Sequence, residues 1–196
     1  MSHNLNIPIE RDIVAPGGRI VGVVRDFVAQ SSHREALGVR GFWKVCKFEN
    51  EGAHAASLAG DPEALPYEVV MTENGFLDAG ITELWNVLTG GSTNLWSHVN
   101  CQIGIGDSST AFAATQTGLQ ASTNLYWQAV DTGFPTVSGQ SITFQATIGA
   151  TSALYTWNEM AIKNAASGVV LNRVVQNQGT KSGSNVWTAQ VTVTAS

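Results

Sequence analysis

A chain of 196 residues is enough for one domain of ordinary size, or for a smaller domain carrying an arm, and it can bury a core without metal or disulfide staples. With 15 acidic and 10 basic side chains it carries a net charge of -5, and its Lys and Arg form no patch from which counterion release could hold a phosphate backbone, so direct DNA or RNA binding is excluded. No stretch approaches the roughly 20 apolar residues of a membrane helix, and MSHNLNIPIERDI lacks the basic-then-apolar order of a secretory signal, so a soluble chain without membrane contact is expected.

Residues 1–40 read as an extended N-terminal arm, because Pro8, Pro16, Gly17, Gly18 and Gly38 interrupt each apolar run before it lengthens. Within the arm, Ile20 to Val28 fits helical spacing and a Val-rich strand equally. The apolar Ile7, Ile9 and Ile13, with Arg11, Arg19 and Arg25, are the candidate partner interface, since a lone domain would struggle to hide the former and guanidinium forks suit interfacial ion pairs. Residues 41–196 should form the β-rich domain.

In that domain, Gly41 to Phe48 alternates as a strand, with Phe42, Lys44, Cys46 and Phe48 on one face and Trp43, Val45 and Lys47 on the other. ENEGAHAASLAGDPEALP is small, polar and broken by Gly60 and Pro62, which predicts a long mobile loop before a short strand at Tyr67 to Met71. Ile81, Leu84, Trp85 and Leu88 then make one apolar stripe, predicting the single short α-helix near 79–89, capped by Asp78 and ended by Gly90 and Gly91. Asn100 to Gly106 reads as a strand, and DSSTAFAATQTGL as a connector with at most one helical turn.

From Leu125 onward the period is two. Ile142, Phe144, Ala146 and Ile148 alternate with Thr143, Gln145 and Thr147, and Trp187, Ala189, Val191 and Val193 alternate with Thr188, Gln190, Thr192 and Thr194. About five strands are expected here, the last at the C-terminus. The fold class is therefore mainly β, an antiparallel β-sandwich or barrel with one short helix and an N-terminal arm.

Chemistry is sparse. Cys46 and Cys101 lack metal-ligand spacing, so no zinc site and buried thiols are expected. His98 near Cys101 lacks the third group a nucleophile pair requires, and Gly104-Ile105-Gly106 lacks the third glycine and the Lys of phosphate-binding loops. Residues 101–196 hold only Asp107, Asp131 and Glu159 as carboxylates, too few for a convincing glycosidase pair, although six tryptophans raise the option of a sugar-stacking platform. Trp85 and Trp187 fall on predicted core faces. No catalytic, cofactor or metal residue is assigned, and a non-enzymatic protein is expected.

PYEVVMTENGFLDAGITELWNVLTGG, IGIGDSSTAFAATQTGL, FPTVSGQSITFQATIG and LNRVVQNQGTKSGSNVWTAQVTVTAS, in that order, resemble a group of virion structural proteins encoded by tailed bacteriophages. The likeness runs from Phe42 to Ser196 and is carried by Gly104 to Asp107, Trp157-Asn158-Glu159, Leu171-Asn172-Arg173 and Gly179-Thr180-Lys181. It implies a place on the particle: a capsid decoration, or cement, subunit on the head exterior, or else a tail-associated fibre or adaptor. The expected partners are the major capsid protein, with tail proteins as the alternative, and copies of the chain itself, a trimer included. The expected location is the capsid exterior of the virion, and the host cytoplasm during assembly. A carbohydrate-binding or depolymerising protein is the third, weakest reading.

Overall fold

The period-two segments become the spine of two sheets. The computed structural model describes residues 7–14, 20–28 and 38–195. In chain order the elements are β1 (Ile7–Val14), β2 (Ile20–Val28), β3 (Val39–Phe48), α1 (Glu51–Leu58), β4 (Glu68–Glu73), β5 (Gly75–Phe76), α2 (Asp78–Leu88), β6 (Cys101–Gly106), β7 (Leu125–Ala129), β8 (Thr136–Ser138), β9 (Ser141–Ile148), β10 (Thr156–Asn164), β11 (Val170–Thr180) and β12 (Val186–Ala195). One sheet has seven strands in the order β1-β2-β4-β3-β12-β9-β8, and the other has five, β5-β11-β10-β6-β7. All pairings are antiparallel except β2 with β4, which run parallel. The two sheets stay separate, so the protein is a sandwich and not a closed barrel.

The core register follows the alternation in the sequence. Val191 lies between Trp43 and Phe144, Ala189 between Val45 and Ala146, and Trp187 between Lys47 and Ile148. Apart from Lys47, these residues join Ile103, Ile105, Met160, Ile162 and Val174 of the second sheet in one buried cluster. Trp157 and Trp187 meet edge to face at 4.7 Å, a geometry that suits the aromatic quadrupole. On the other side of the sheet the hydroxyls bond across strands, Thr143 to Thr192 at 3.0 Å and Ser141 to Thr194 at 2.7 Å.

Within the stretch read as an arm, residues 7–14 and 20–28 are strands: β1 pairs with β2, and β2 pairs with β4, with Val24 opposite Val69. The open choice at residues 20–28 resolves as strand. The predicted mobile loop contains α1, because an Ala-rich run has high helix propensity and the Asn50 side chain accepts from the Ala53 amide at 2.9 Å, capping the first turn. From Leu125 onward there are six strands, one more than expected, through the three-residue β8. Residues 107–124 form no helix.

Helix α2 forms where expected but docks on another face. Asp78 is its first residue and makes no cap bond, Leu77 being the N-cap; Gly90 adopts φ +76 beyond the C-terminus. The buried residues are Gly80 and Glu83, while Trp85 and Leu88 of the predicted stripe are 44% and 74% exposed. The reason is contact distance. A Cβ on Gly80 would lie 2.5 Å from both Cα and O of Leu171, so the helix reaches β11 only by presenting a residue without a side chain. Gly80→Ala is expected to cost about 1–3 kcal/mol, because the obstructing atoms are backbone and cannot swing away. Denaturant unfolding would measure it, and an unchanged midpoint would contradict this docking.

Helix α1 rests on β3 through His54, whose ring stands edge-on to Phe48 at 5.0 Å. Burial holds the His54 pKa below its usual 6.5, with the Asp131 carboxylate pulling partly in the opposite direction. The unfolded chain therefore takes up this proton first. Stability from this group is full above 6.5, falls as pH drops toward the folded pKa, and levels off below it. Unfolding measured from about pH 8 to about pH 5 should lose more stability in the wild type than in His54→Gln; equal slopes would contradict the burial.

Candidate functional site

Two places gather polar side chains inside the fold. The first lies on the outward side of the five-stranded sheet. Glu159 of β10 and Arg173 of β11 are diagonal neighbours in the ladder, since Glu159 pairs with Val175 and Ala161 with Arg173. Arg173 Nε donates to Glu159 Oε2 at 2.6 Å, and both side chains are wholly buried. Burying such a pair is tolerable only when the remaining lone pairs and protons are satisfied. Here the connector 107–124 does that: the amides of Gln120 and Ala121 donate to Glu159, while Arg173 donates to Gln116 Oε1 at 2.9 Å and to the Thr110 carbonyl at 2.8 Å. A long segment without regular structure is thus fastened at both ends to one ion pair. Leu77, Ala161 and Val170, with Phe112, Leu119 and Trp127, form a small second core beneath it.

The second place is a half-open cleft of about 320 Å³ at a bulge in β11. Trp157 pairs with Gly179 but Glu159 pairs with Val175, so residues 176–178 stand opposite Asn158 alone. Gly179 closes the bulge at φ +91, a conformation that favours glycine. Lys47 is buried here; its Nζ donates to Glu68 at 2.6 Å and to the Gln178 carbonyl, and it lies 4.6 Å above the Trp187 ring. Trp187 Nε1 donates to the Tyr67 hydroxyl at 3.1 Å. Gln178 is 2% exposed, and its Oε1 is buried without a hydrogen-bond partner.

His98 is exposed with Nδ1 at 3.2 Å from the Phe134 carbonyl, whereas Cys101 is buried and its thiol is pushed up to about 12 by desolvation. A thiol so protonated is no nucleophile at neutral pH. Cys46 is half-buried and likewise raised by burial. Glu159 is engaged by Arg173 and the amides of Gln120 and Ala121, Asp131 by the Thr147 amide and hydroxyl and by Gln145, and Asp107 by Asn124. Of the six tryptophans, Trp43, Trp157 and Trp187 are buried in the core and Trp127 lies under Lys163 Nζ at 3.9 Å. Trp187 sits on a core face as expected; Trp85 does not. They form no shared stacking platform.

Among the candidate interface residues, Ile7, Ile9, Arg11 and Ile13 lie on β1, opposite Val28, Asp26, Val24 and Gly22, and Arg25 lies on β2 opposite Glu10. Arg19 lies outside the described residues. Among the described residues no group of three His, Cys, Asp or Glu side chains is placed to hold a metal ion, and no helix is long and apolar enough to cross a membrane. Sequence reasoning noticed Glu159, Arg173 and Lys181 as motif residues but missed the ion pair and the cleft. Opposite charges on strands joined by a short turn were the signal for the first; for the second there was only the strand glycine Gly179. No family model, curated protein or solved structure matches the chain.

Proposed function

We propose that the chain is a virion structural protein of a tailed phage: a capsid decoration, or cement, subunit that binds the outer surface of the head and stabilises it. Its partners in this reading are the major capsid protein and neighbouring copies of itself, and it performs no catalysis. The observation that carries the reading is how the residues bearing the phage resemblance are used. Glu159 and Arg173 lock a connector to a sheet, Lys181 is buried with its Nζ on the Gly149 carbonyl at 2.7 Å, and Asn158 Nδ2 donates to the Asp107 carbonyl at 2.8 Å. These side chains serve the scaffold, as expected where a motif preserves architecture and not a reaction.

The seat of attachment in this reading is the N-terminal strand pair. Among the described residues β1 is the last strand of its sheet, and a border strand of eight residues offers backbone groups that a partner strand can complete. Ile7, Ile9, Arg11, Ile13 and Arg25 are the residues assigned to that contact. The test is a sedimentation assay of the full-length chain against undecorated expanded heads and against isolated tails. Binding to heads, weakened by Arg11→Glu with Arg25→Glu, is the expected result. Binding to tails alone would replace decoration with a tail-associated role.

A further inference from the structure

We infer that β7 is the contact between two copies of the chain, which join edge to edge through antiparallel β7 strands about a two-fold axis at Trp127, so that the five-stranded sheet runs on from one copy into the other. That contact depends on this strand alone and is independent of attachment to a head. Among the described residues β7 is the last strand of its sheet. The Val130 amide donates to the Cys101 carbonyl across the ladder with β6, which makes theirs a hydrogen-bonded pair. By alternation Tyr126 and Gln128 turn their backbone groups toward β6, while Leu125, Trp127 and Ala129 turn theirs outward. None of these outward N–H and C=O groups has a partner among the described residues.

One register satisfies the whole row. With Trp127 opposite Trp127, Leu125 stands opposite Ala129 of the second copy, and each outward residue exchanges N–H and C=O with its opposite. The side chains permit it. A Cβ on Gly104 would lie 2.4 Å from the Trp127 ring, so the indole lies back over β6, with Lys163 Nζ at 3.9 Å from the ring. The border is therefore clear at the two-fold axis, and Leu125, 44% exposed, falls against a small alanine. Residues 125–130 carry no charge, so two copies meet there without like-charge repulsion. The other borders are guarded. β8 and β5 are only three and two residues long, and β1 holds Pro8, which has no N–H, beside the charges of Glu10, Arg11 and Asp12. β7 has five residues and no proline, charge or bulge to turn a copy away.

The experiment is sedimentation velocity of the full-length protein, without heads, over about 1 to 200 µM, where a dimer with a dissociation constant of about 50 µM or tighter is expected. Amide hydrogen exchange should slow at Leu125, Trp127 and Ala129 as the dimer forms. Ala129→Pro removes an outward N–H and leaves the ladder with β6 intact, so it should fold and weaken the dimer at least about tenfold. Leu125→Glu with Ala129→Glu sets carboxylates opposite one another and should weaken it as much. Leu125→Lys with Ala129→Glu sets opposite charges at the same places and should restore it. A monomer throughout overturns the inference, and so does a trimer, which a two-fold border cannot build. A dimer that survives both the proline and the paired carboxylates overturns it as well.

Discussion

Val191→Asp is expected to leave no soluble folded protein, whereas Thr192→Asp, one residue along the same strand, should fold. Val191 is fully buried in β12, an interior strand of the larger sheet, with Trp43 on one side and Phe144 on the other. A carboxylate there would have neither water nor a partner, and the cost of several kcal/mol is comparable to the roughly 5–15 kcal/mol that holds a domain together. Thr192 points to the other side, where it exchanges a 3.0 Å hydrogen bond with Thr143. Losing that bond costs about 1 kcal/mol, and the new charge reaches solvent. Soluble yield and circular dichroism of the two variants decide it. Similar behaviour of both would mean that the register of β12 is wrong.

The second large effect is at the ion pair on the opposite sheet. Arg173→Met should destabilise by about 3–5 kcal/mol, because it strands a wholly buried Glu159 carboxylate whose remaining contacts are two backbone amides. It also releases Gln116 and the Thr110 carbonyl, so the connector 107–124 should become the first segment cut by protease. Adding Glu159→Gln to Arg173→Met should recover part of the loss, since the amide oxygen still accepts from Gln120 and Ala121 without carrying charge. Urea unfolding measures all three. A single variant within about 1 kcal/mol of wild type would show that water reaches the pair.

These two sites differ in how far the sequence revealed them. The inner and outer sides of β9 and β12 were legible because a strand exposes its side chains alternately, and one hydroxyl-rich side against one apolar side leaves a single workable register. The docked side of α2 was not. Periodicity marks where apolar residues are, but Gly80 docks by lacking a side chain, which leaves Trp85 and Leu88 facing outward. Helix α1 was hidden by its polarity, since none of its residues is fully buried and it owes its existence to alanine propensity and the Asn50 cap. Glu159 and Arg173 stand 14 residues apart, and their meeting depends on a ladder register that only the folded hairpin sets. The cleft owes its shape to a three-residue bulge closed by Gly179, and a strand glycine signals a bulge without giving its size or the cleft beside it.

The central claim, a structural subunit of a phage head, is tested most directly by copy number. Quantitative mass spectrometry of purified particles, with the major capsid protein as internal standard, counts the chain per virion. The decoration reading predicts copies on the order of hundreds, in fixed ratio to the capsid subunits that cover the symmetric shell. A few dozen copies or fewer, retained on isolated tails and missing from heads, would contradict it.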